Sequence, residues 1–408
     1  SAQIDQINLD TILDLGYTGH DMVIAVLDAG FFGMDTATLF QSFWDKSQIL
    51  GYHNFPDHND QVFNIFSGYH GSWVLSVIGG DIDSVFSGSA PDADFYLFRT
   101  EVADSEYVVE EDYWLQAAEK ADSVGADIIN SSLGYTVFDD AAENHTYADL
   151  DGNTTVVTKA ADMAAQKGIL VCNSAGNEGG GAWHYISMPS DGDSVFSIGG
   201  VDAFGTHVGF SGYGPTSDGR IKPNVVALAT GSAVLDPGGA IAFLNGTSFS
   251  SPLLAGACAS LWDAFPLRTN MEIMNAVQQS ASLFLTPNDS MGYGIPNFGL
   301  AFEMLKQPLD TISRDTTTYI DTTLSVIDIL PNPVHDAFTV FILSHMNEPA
   351  TIQISNMSGE KMFEQHIYLN KDVAESFSVS IPSDFASGIY ILSLLTYHSK
   401  QSERLFVN

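Results

Sequence analysis

Cysteine is almost missing from this 408-residue chain, which has two, Cys172 and Cys258, each inside an apolar stretch. Two buried free thiols or one disulfide both fit that count, but a small disulfide-stapled scaffold does not. Basic residues are scarce too, 14 Lys and Arg against 50 Asp and Glu, for a formal charge of −36. With no basic run to offset it, such a surface repels phosphate backbones and anionic lipid heads, which argues against nucleic acid as a partner. Long apolar runs are lacking as well. Stretches such as 22–27 and 389–395 stop far short of the roughly 18 to 20 residues of a membrane-spanning helix. The chain opens at Ser1 without an initiator Met or a charged-then-apolar leader, so any targeting segment is expected to have been removed from it.

What the chain does have is enough apolar material to fold. Apolar residues make up 45% and charged ones only 16%, so the acidity sits on a sequence that still buries a core. The length suggests two domains, or one large domain with an appendage. From about residue 20 to 300, short apolar runs at 22–27, 95–98, 127–130, 169–172 and 195–198 alternate with helical-period segments at 107–124, 156–167 and 250–265. Apolar strands without alternation are buried on both faces, and strand-helix alternation is how parallel strands are joined. The expected fold class is therefore α/β, a parallel sheet with helices on both faces. A polar, threonine-rich stretch at 307–325 reads as a linker. Beyond it, short alternating runs at 338–342, 351–354, 377–381 and 390–395, separated by Gly and Pro turns, predict a small all-β sandwich. The expected domains are 1–306 and 326–408. The second holds only 4 of the basic and 9 of the acidic residues, so the acidity belongs mainly to the first.

Three segments of the first domain carry residue types suited to nucleophilic chemistry. Asp28 ends a strongly apolar strand, and in an open parallel sheet reactive groups gather beyond the carboxyl ends of strands. A strand-end Asp is also a common cap or turn residue. His70 opens a helical segment, His70-Gly-Ser-Trp, but is one of 11 histidines. Asn245-Gly-Thr-Ser248-Phe-Ser-Ser-Pro252 runs into an apolar helix, with Ser248 at its entrance and Pro252 expected in the first turn. The pattern G-x-S-x-G of a different hydrolase fold is absent. The order Asp, His, Ser is that of subtilisin among the convergent triads.

With these motifs in order, residues 20–300 resemble the subtilase family. Val171-Cys-Asn-Ser-Ala-Gly-Asn177 looks like its oxyanion segment, Ile129-Asn-Ser-Ser-Leu133-Gly134 like its substrate-binding strand, and Asp218-Gly-Arg-Ile-Lys-Pro-Asn224 is similar to a stretch many subtilases carry. The resemblance implies a secreted serine endopeptidase with Asp28, His70 and Ser248 as catalytic triad and Asn177 as oxyanion donor. It implies further that peptide or protein substrates pair with Ser132, Leu133 and Gly134, and that Ala175, Gly176 and Asn177 form one wall of the S1 pocket with Ser187 at its floor. No carboxylate stands at that floor, so uncharged, fairly large P1 residues are expected over Lys or Arg. The sequence departs from the family at Ala29, where Ser or Thr is usual, and at Trp73, where the second His of His-Gly-Thr-His would stand. The alternative is a catalytically silent subtilase fold serving as a surface binding protein.

No cofactor is expected to be needed for the chemistry. Asp149, Asp151 and Asn153 resemble the opening of an oxygen-ligand calcium loop, without the distal bidentate Glu, and subtilases commonly bind structural calcium. An ordinary Asp-Gly turn is the other reading. His53, Asp57, His58 and Asp60 have a metal-like composition but read as solvated loop residues. Residues 326–408 contain no catalytic constellation. Their segments around Pro331-Asn-Pro333, Gly359, Gly388 and Asn408 resemble the C-terminal sorting domain of the type IX secretion system of Bacteroidetes. This implies the secretion machinery as a partner and an extracellular or cell-surface location, usually with the domain cleaved. A carbohydrate-binding or stabilising module is the alternative.

Overall fold

The computed structural model describes residues 2–66, 68–306, 324–330, 334, 337–344, 348–356, 361–371, 373–381, 385, 388–396 and 400–407. Contacts divide the chain into two compact units, Ser1–Leu309 and Asp310–Asn408. The stretch read as a linker lies outside the described residues except for Leu324 and Ser325, which open a strand.

The strands of the first unit are β1 (Val23–Asp28), β2 (Ile49–Asn54), β3 (Asp81–Ile82), β4 (Phe86–Ser87), β5 (Asp94–Arg99), β6 (Ile128–Ser131), β7 (Leu170–Ser174), β8 (Phe196–Val201), β9 (Val225–Leu228), β10 (Ser232–Asp236) and β11 (Ala240–Leu244). Seven of them form one sheet in the order β2-β5-β1-β6-β7-β8-β9, and every pairing in it is parallel. The helices are α1 (Ala2–Gln6), α2 (Asp10–Leu13), α3 (Gln41–Asp45), α4 (Tyr69–Gly79), α5 (Val109–Val124), α6 (Val156–Gln166), α7 (Thr247–Asp263), α8 (Asn270–Gln279) and α9 (Phe298–Leu305).

Side chains on a strand alternate between faces, and the two faces of this sheet meet separate cores. Ile24 and Val26 join one cluster with Val74, Leu75, Leu253 and Leu254 of α4 and α7. Ala25 and Leu27 join the other with Trp114, Ala118, Ala160 and Ala161 of α5 and α6. Burial on both sides explains why these strands read as unbroken apolar runs. Cys172 in β7 and Cys258 in α7 are buried free thiols, and burial, then the neighbouring Cys258, push the Cys172 thiol pKa up.

β1 lies between β5 and β6. From β1 the chain first places β2 at one edge and fills the gap with β5, then crosses to the other side through β6 to β9. The carboxyl end of β1, where Asp28 sits, is thus the point at which strand order reverses, the usual place for a site in an open α/β sheet.

The second unit contains β12 (Leu324–Leu330), β13 (Ala337–Ser344), β14 (Glu348–Ser355), β15 (Lys361–Leu369), β16 (Val373–Ser380), β17 (Gly388–Thr396) and β18 (Lys400–Val407). They pair antiparallel in two sheets, β12-β13-β16 and β15-β14-β17-β18. Phe338, Val340, Ile342, Ile352, Ile354, Leu392, Leu394 and Leu405 form its core. The arrangement is sandwich-like, as the alternating runs predict.

Candidate active site

Asp28 is completely buried at the end of β1. Its Oδ1 accepts the backbone N–H of Ala29 at 2.7 Å, so a main-chain donor binds the carboxylate where the alanine supplies no hydroxyl. His70 is the second residue of α4, and its Nδ1 lies 2.8 Å from Oδ1 and 3.0 Å from Oδ2 of Asp28. A carboxylate only accepts, so Nδ1 carries the proton and Nε2 is left as the basic nitrogen. Burial of the ring pulls the His70 pKa down, while the Asp28 charge and hydrogen bond push it up and prevail, leaving it raised above 6.5.

Backbone contact between the two elements enforces this pairing. A Cβ built on Gly71 would fall 2.2 Å from the carbonyl oxygen of Gly30 and 3.0 Å from Cβ of Asp28. Ser72 Oγ, one residue further on, donates to the Phe32 carbonyl at 3.0 Å. At Trp73 the indole N–H donates to Asp236 Oδ2 at 3.2 Å, tying α4 to β10.

Ser248 is the second residue of α7. The helix starts at Thr247, three residues earlier than the apolar pattern suggests, because Gly246 takes a φ of 146° that other residues rarely adopt. The expectation that Pro252 lies in the first turn is therefore corrected: it stands inside the helix. Ser248 Oγ donates to the Ser132 carbonyl at 3.5 Å, and the neighbouring Phe249 ring lies 6.2 Å from the His70 ring, centre to centre. Asn177 Oδ1 accepts from Thr247 N at 2.9 Å and Thr247 Oγ1 at 3.0 Å. The amide oxygen is thereby committed, and Nδ2 is the Asn177 group that remains to donate.

Residues 132–134 and 175–177 face each other through Ser187. Ser187 N–H donates to Ala175 O at 3.2 Å, and Tyr135 N–H to Met188 O at 3.0 Å. A Cβ on Gly134 would fall 2.0 Å from Ser187 Oγ, and one on Gly176 2.8 Å from it. Both walls are bare backbone with the hydroxyl between them, buried and without a hydrogen-bond partner among the described residues. The Leu133 carbonyl accepts from Asn173 Nδ2 at 3.2 Å. The Ser132 carbonyl, by contrast, accepts from Ser248 Oγ.

The aspartates of the calcium-like segment both hydrogen-bond within their own turns. Asp149 Oδ2 accepts from Thr146 N and Oγ1 at 2.7 and 2.8 Å. Asp151 accepts from Asn153 N and Thr154 Oγ1, both at 2.8 Å. Each carboxylate stabilises its own turn. His53 pairs with Asp60, and Asp57 with Arg99. Among the described residues, the carboxylates whose oxygens lie within 4.8 Å of one another are Glu101, Glu106 and Glu110, a group the sequence reading missed. Thr247, Asn173 and the buried pair Asn130 and Ser251 were missed too, although all four sit inside the motifs quoted above.

Residues 19–294 match the model of the subtilase family. The chain belongs to the subtilase family. Subtilisin NAT of Bacillus subtilis subsp. natto is 28% identical over 296 residues, covering 72% of this chain and 69% of that protein. The membrane-bound transcription factor site-1 protease of Mus musculus is 27% identical over 329 residues, 77% of this chain but 28% of that one. Among solved structures, MycP1 from the ESX-1 type VII secretion system covers 74% of this chain and 85% of its own, with a TM-score of 0.59 at 19% identity. The prenylagaramide maturation protease PagA covers 73% and 98%, with a TM-score of 0.54 at 25% identity. This subtilase is a serine peptidase, and catalysis in its family needs no cofactor. Residues 328–408 match the secretion system C-terminal sorting domain, so the protein is extracellular or at the cell surface. Among the described residues no helix is long and apolar enough to cross a membrane.

Proposed function

We propose that this subtilase is a secreted endopeptidase that cleaves through an acyl-enzyme on Ser248. The observation that carries the reading is the double contact of His70 Nδ1 with the buried Asp28 carboxylate, which leaves Nε2 as a base on the side of α7. The Ser248 hydroxyl, which donates to the Ser132 carbonyl, has to turn to Nε2, which takes its proton as Oγ attacks the scissile carbonyl. Asp28 stabilises the imidazolium. The oxyanion meets Asn177 Nδ2 and the Ser248 N–H, an unpaired donor at a helix start. Losing such a side-chain donor costs about 10²–10³ in turnover, a magnitude known from a subtilisin. Nε2 then returns the proton to the leaving amine, and water repeats the cycle on the acyl group. No metal enters these steps. Calcium at Asp149, Asp151 and Asn153 is a proposal that rests on the resemblance alone, and both aspartates also hold their own turns.

The substrate main chain pairs with residues 132–134, adding a strand to that edge. The P1 side chain is assigned to the space bordered by residues 132–134 and 175–177, closed at its far end by the buried Ser187 side chain packed against Gly134 and Gly176. A floor with a hydroxyl and no carboxylate favours uncharged, fairly large P1 residues. Tenfold faster cleavage after Lys in a peptide set varied only at P1 would refute this. The C-terminal unit serves as the type IX export signal. A reporter fused to residues 326–408 and retained in the periplasm of a type IX-competent bacterium would refute that.

The deciding test is casein hydrolysis by the wild type and by Ser248→Ala, with and without phenylmethylsulfonyl fluoride. Activity lost in both the variant and the inhibited sample supports the peptidase. A folded wild-type chain without activity would instead make the protein a silent binding fold.

A further inference from the structure

Helix α7 carries Pro252 in its interior. Proline has no N–H, and in an α-helix residue i donates to the carbonyl of residue i−4. The carbonyl deprived of its donor is that of Ser248, the proposed nucleophile. Ser132 Oγ lies 3.0 Å from that oxygen and donates to it. A carbonyl only accepts, so the hydroxyl hydrogen points at it. Asn130 Nδ2 donates to Ser132 Oγ at 3.3 Å, filling one of its lone pairs, and Ser251 Oγ donates to Asn130 Oδ1 at 2.9 Å. The chain of bonds thus leaves α7 at Ser248, passes through β6 and the residue after it, and returns to α7 at Ser251. All four residues are buried, where an unmet carbonyl is expensive.

We propose that Ser132 is a positioning residue whose hydroxyl replaces the helix hydrogen bond that Pro252 cannot make, locking the backbone of the nucleophile to the segment on which substrate pairs. The inference rests on Ser248 being the nucleophile. It gives Ser132 two roles on two atoms: the carbonyl faces the substrate and the Ser248 hydroxyl, while Oγ holds the Ser248 main chain in register with that carbonyl. A substrate bound along residues 132–134 is then delivered to a nucleophile fixed to the same segment, which is the arrangement that proximity catalysis requires.

A double-mutant cycle tests this. Wild type, Ser132→Ala, Pro252→Ala and the double variant are compared by kcat and KM on a peptide and by the rate of inactivation with phenylmethylsulfonyl fluoride, which reaches the nucleophile without pairing to the strand. The loss of the donor should lower kcat and the sulfonylation rate about tenfold, with KM little changed. In the Pro252→Ala background residue 252 regains an N–H, so the same Ser132→Ala change should cost far less. Ser132→Thr keeps the hydroxyl and should keep the wild-type rates; this comparison also decides the matter if the Pro252→Ala chains fail to fold. Equal losses in both backgrounds, no loss in Ser132→Ala, or a Thr variant as impaired as Ala would overturn the proposal. A wild-type chain that neither cleaves peptide nor reacts with the fluoride would instead overturn the reading of Ser248 itself.

Discussion

The carbonyl oxygen of Gly30 and the α-carbon of Gly71 meet so closely that a Cβ on Gly71 would lie 2.2 Å from that oxygen. The segment leaving Asp28 and the helix carrying His70 are thus in backbone contact, and only hydrogen fits between them. Backbone atoms give way less readily than a side-chain tip, so Gly71→Ala has to push the start of α4 outward. Overpacking of this kind costs roughly 1–3 kcal/mol, and the displacement lengthens the bond between His70 and Asp28. Urea melts and peptide kinetics on Gly71→Ala should show both a lower midpoint and a kcat/KM reduced by at least about tenfold. Full activity in that variant would mean that the contact does not set the dyad.

The charge of Asp28 bears on pH as well as on geometry. Burial alone lowers the His70 pKa, and the Asp28 charge and hydrogen bond raise it beyond 6.5. Only the neutral ring accepts the serine proton, so kcat/KM should fall as pH drops through this raised value. Asp28→Asn removes the charge, so the acid limb should move to lower pH while the plateau falls by up to about 10⁴-fold. A pH profile of both chains checks it. An unmoved acid limb would show that another group governs the titration.

The sheet and the three chemical motifs were legible because both depend on local pattern. Strands buried on two faces must be apolar throughout, and Asp28, His70 and Ser248 each sit beside a glycine or helix start with its own sequence signature. Edge strands were harder. β2 alternates half-buried and exposed residues, and β15, at the edge of its sheet, mixes Lys, Glu, Gln and His with its apolar residues, so neither has a run to read. The start of α7 was missed because its first turn is polar while apolar residues begin later. That error also moved Pro252 to the wrong turn and concealed the orphaned carbonyl of Ser248. The hydrogen bonds of Asp149 and Asp151 were not legible for a different reason: spacing reports which carboxylates are near in sequence, not which N–H or hydroxyl each will accept from.

The narrow gap between Gly134 and Ser187 makes a prediction with a built-in rescue. A methyl on Gly134 would fall 2.0 Å from Ser187 Oγ and 2.7 Å from its Cβ, so one of the two walls has to move. Gly134→Ala should therefore raise KM about tenfold for peptides with a large P1 residue. Ser187→Gly removes both opposing atoms and should return most of that loss in the double variant, as strongly coupled neighbours do. Additive losses would indicate that residue 187 does not border the space that Gly134 keeps open.

Glu101, Glu106 and Glu110 place their oxygens within 4.8 Å of one another, close to the substrate segment through the hydrogen bond from the Tyr135 hydroxyl to Glu101. Burial, then the charges of Glu110 and Asp139, push Glu106 up to about 7. Burial and the neighbouring carboxylates also raise Glu101 well above its ordinary value. Glu110 is raised by burial against two backbone hydrogen bonds and the charge of Arg99. A carboxyl with a raised folded pKa binds more protons in the native than in the unfolded chain over the interval between the two values. Its contribution is complete below the unfolded value of 4.5 and is lost as pH rises through about 7, so this cluster should make the protein less stable at pH 8 than at pH 5. Glu106→Gln keeps the neutral shape at every pH and relieves its two neighbours of one charge. Thermal melts of both chains at the two pH values should show a shallower decline in the variant. The same decline in both would place the pH dependence of stability elsewhere in this acidic molecule.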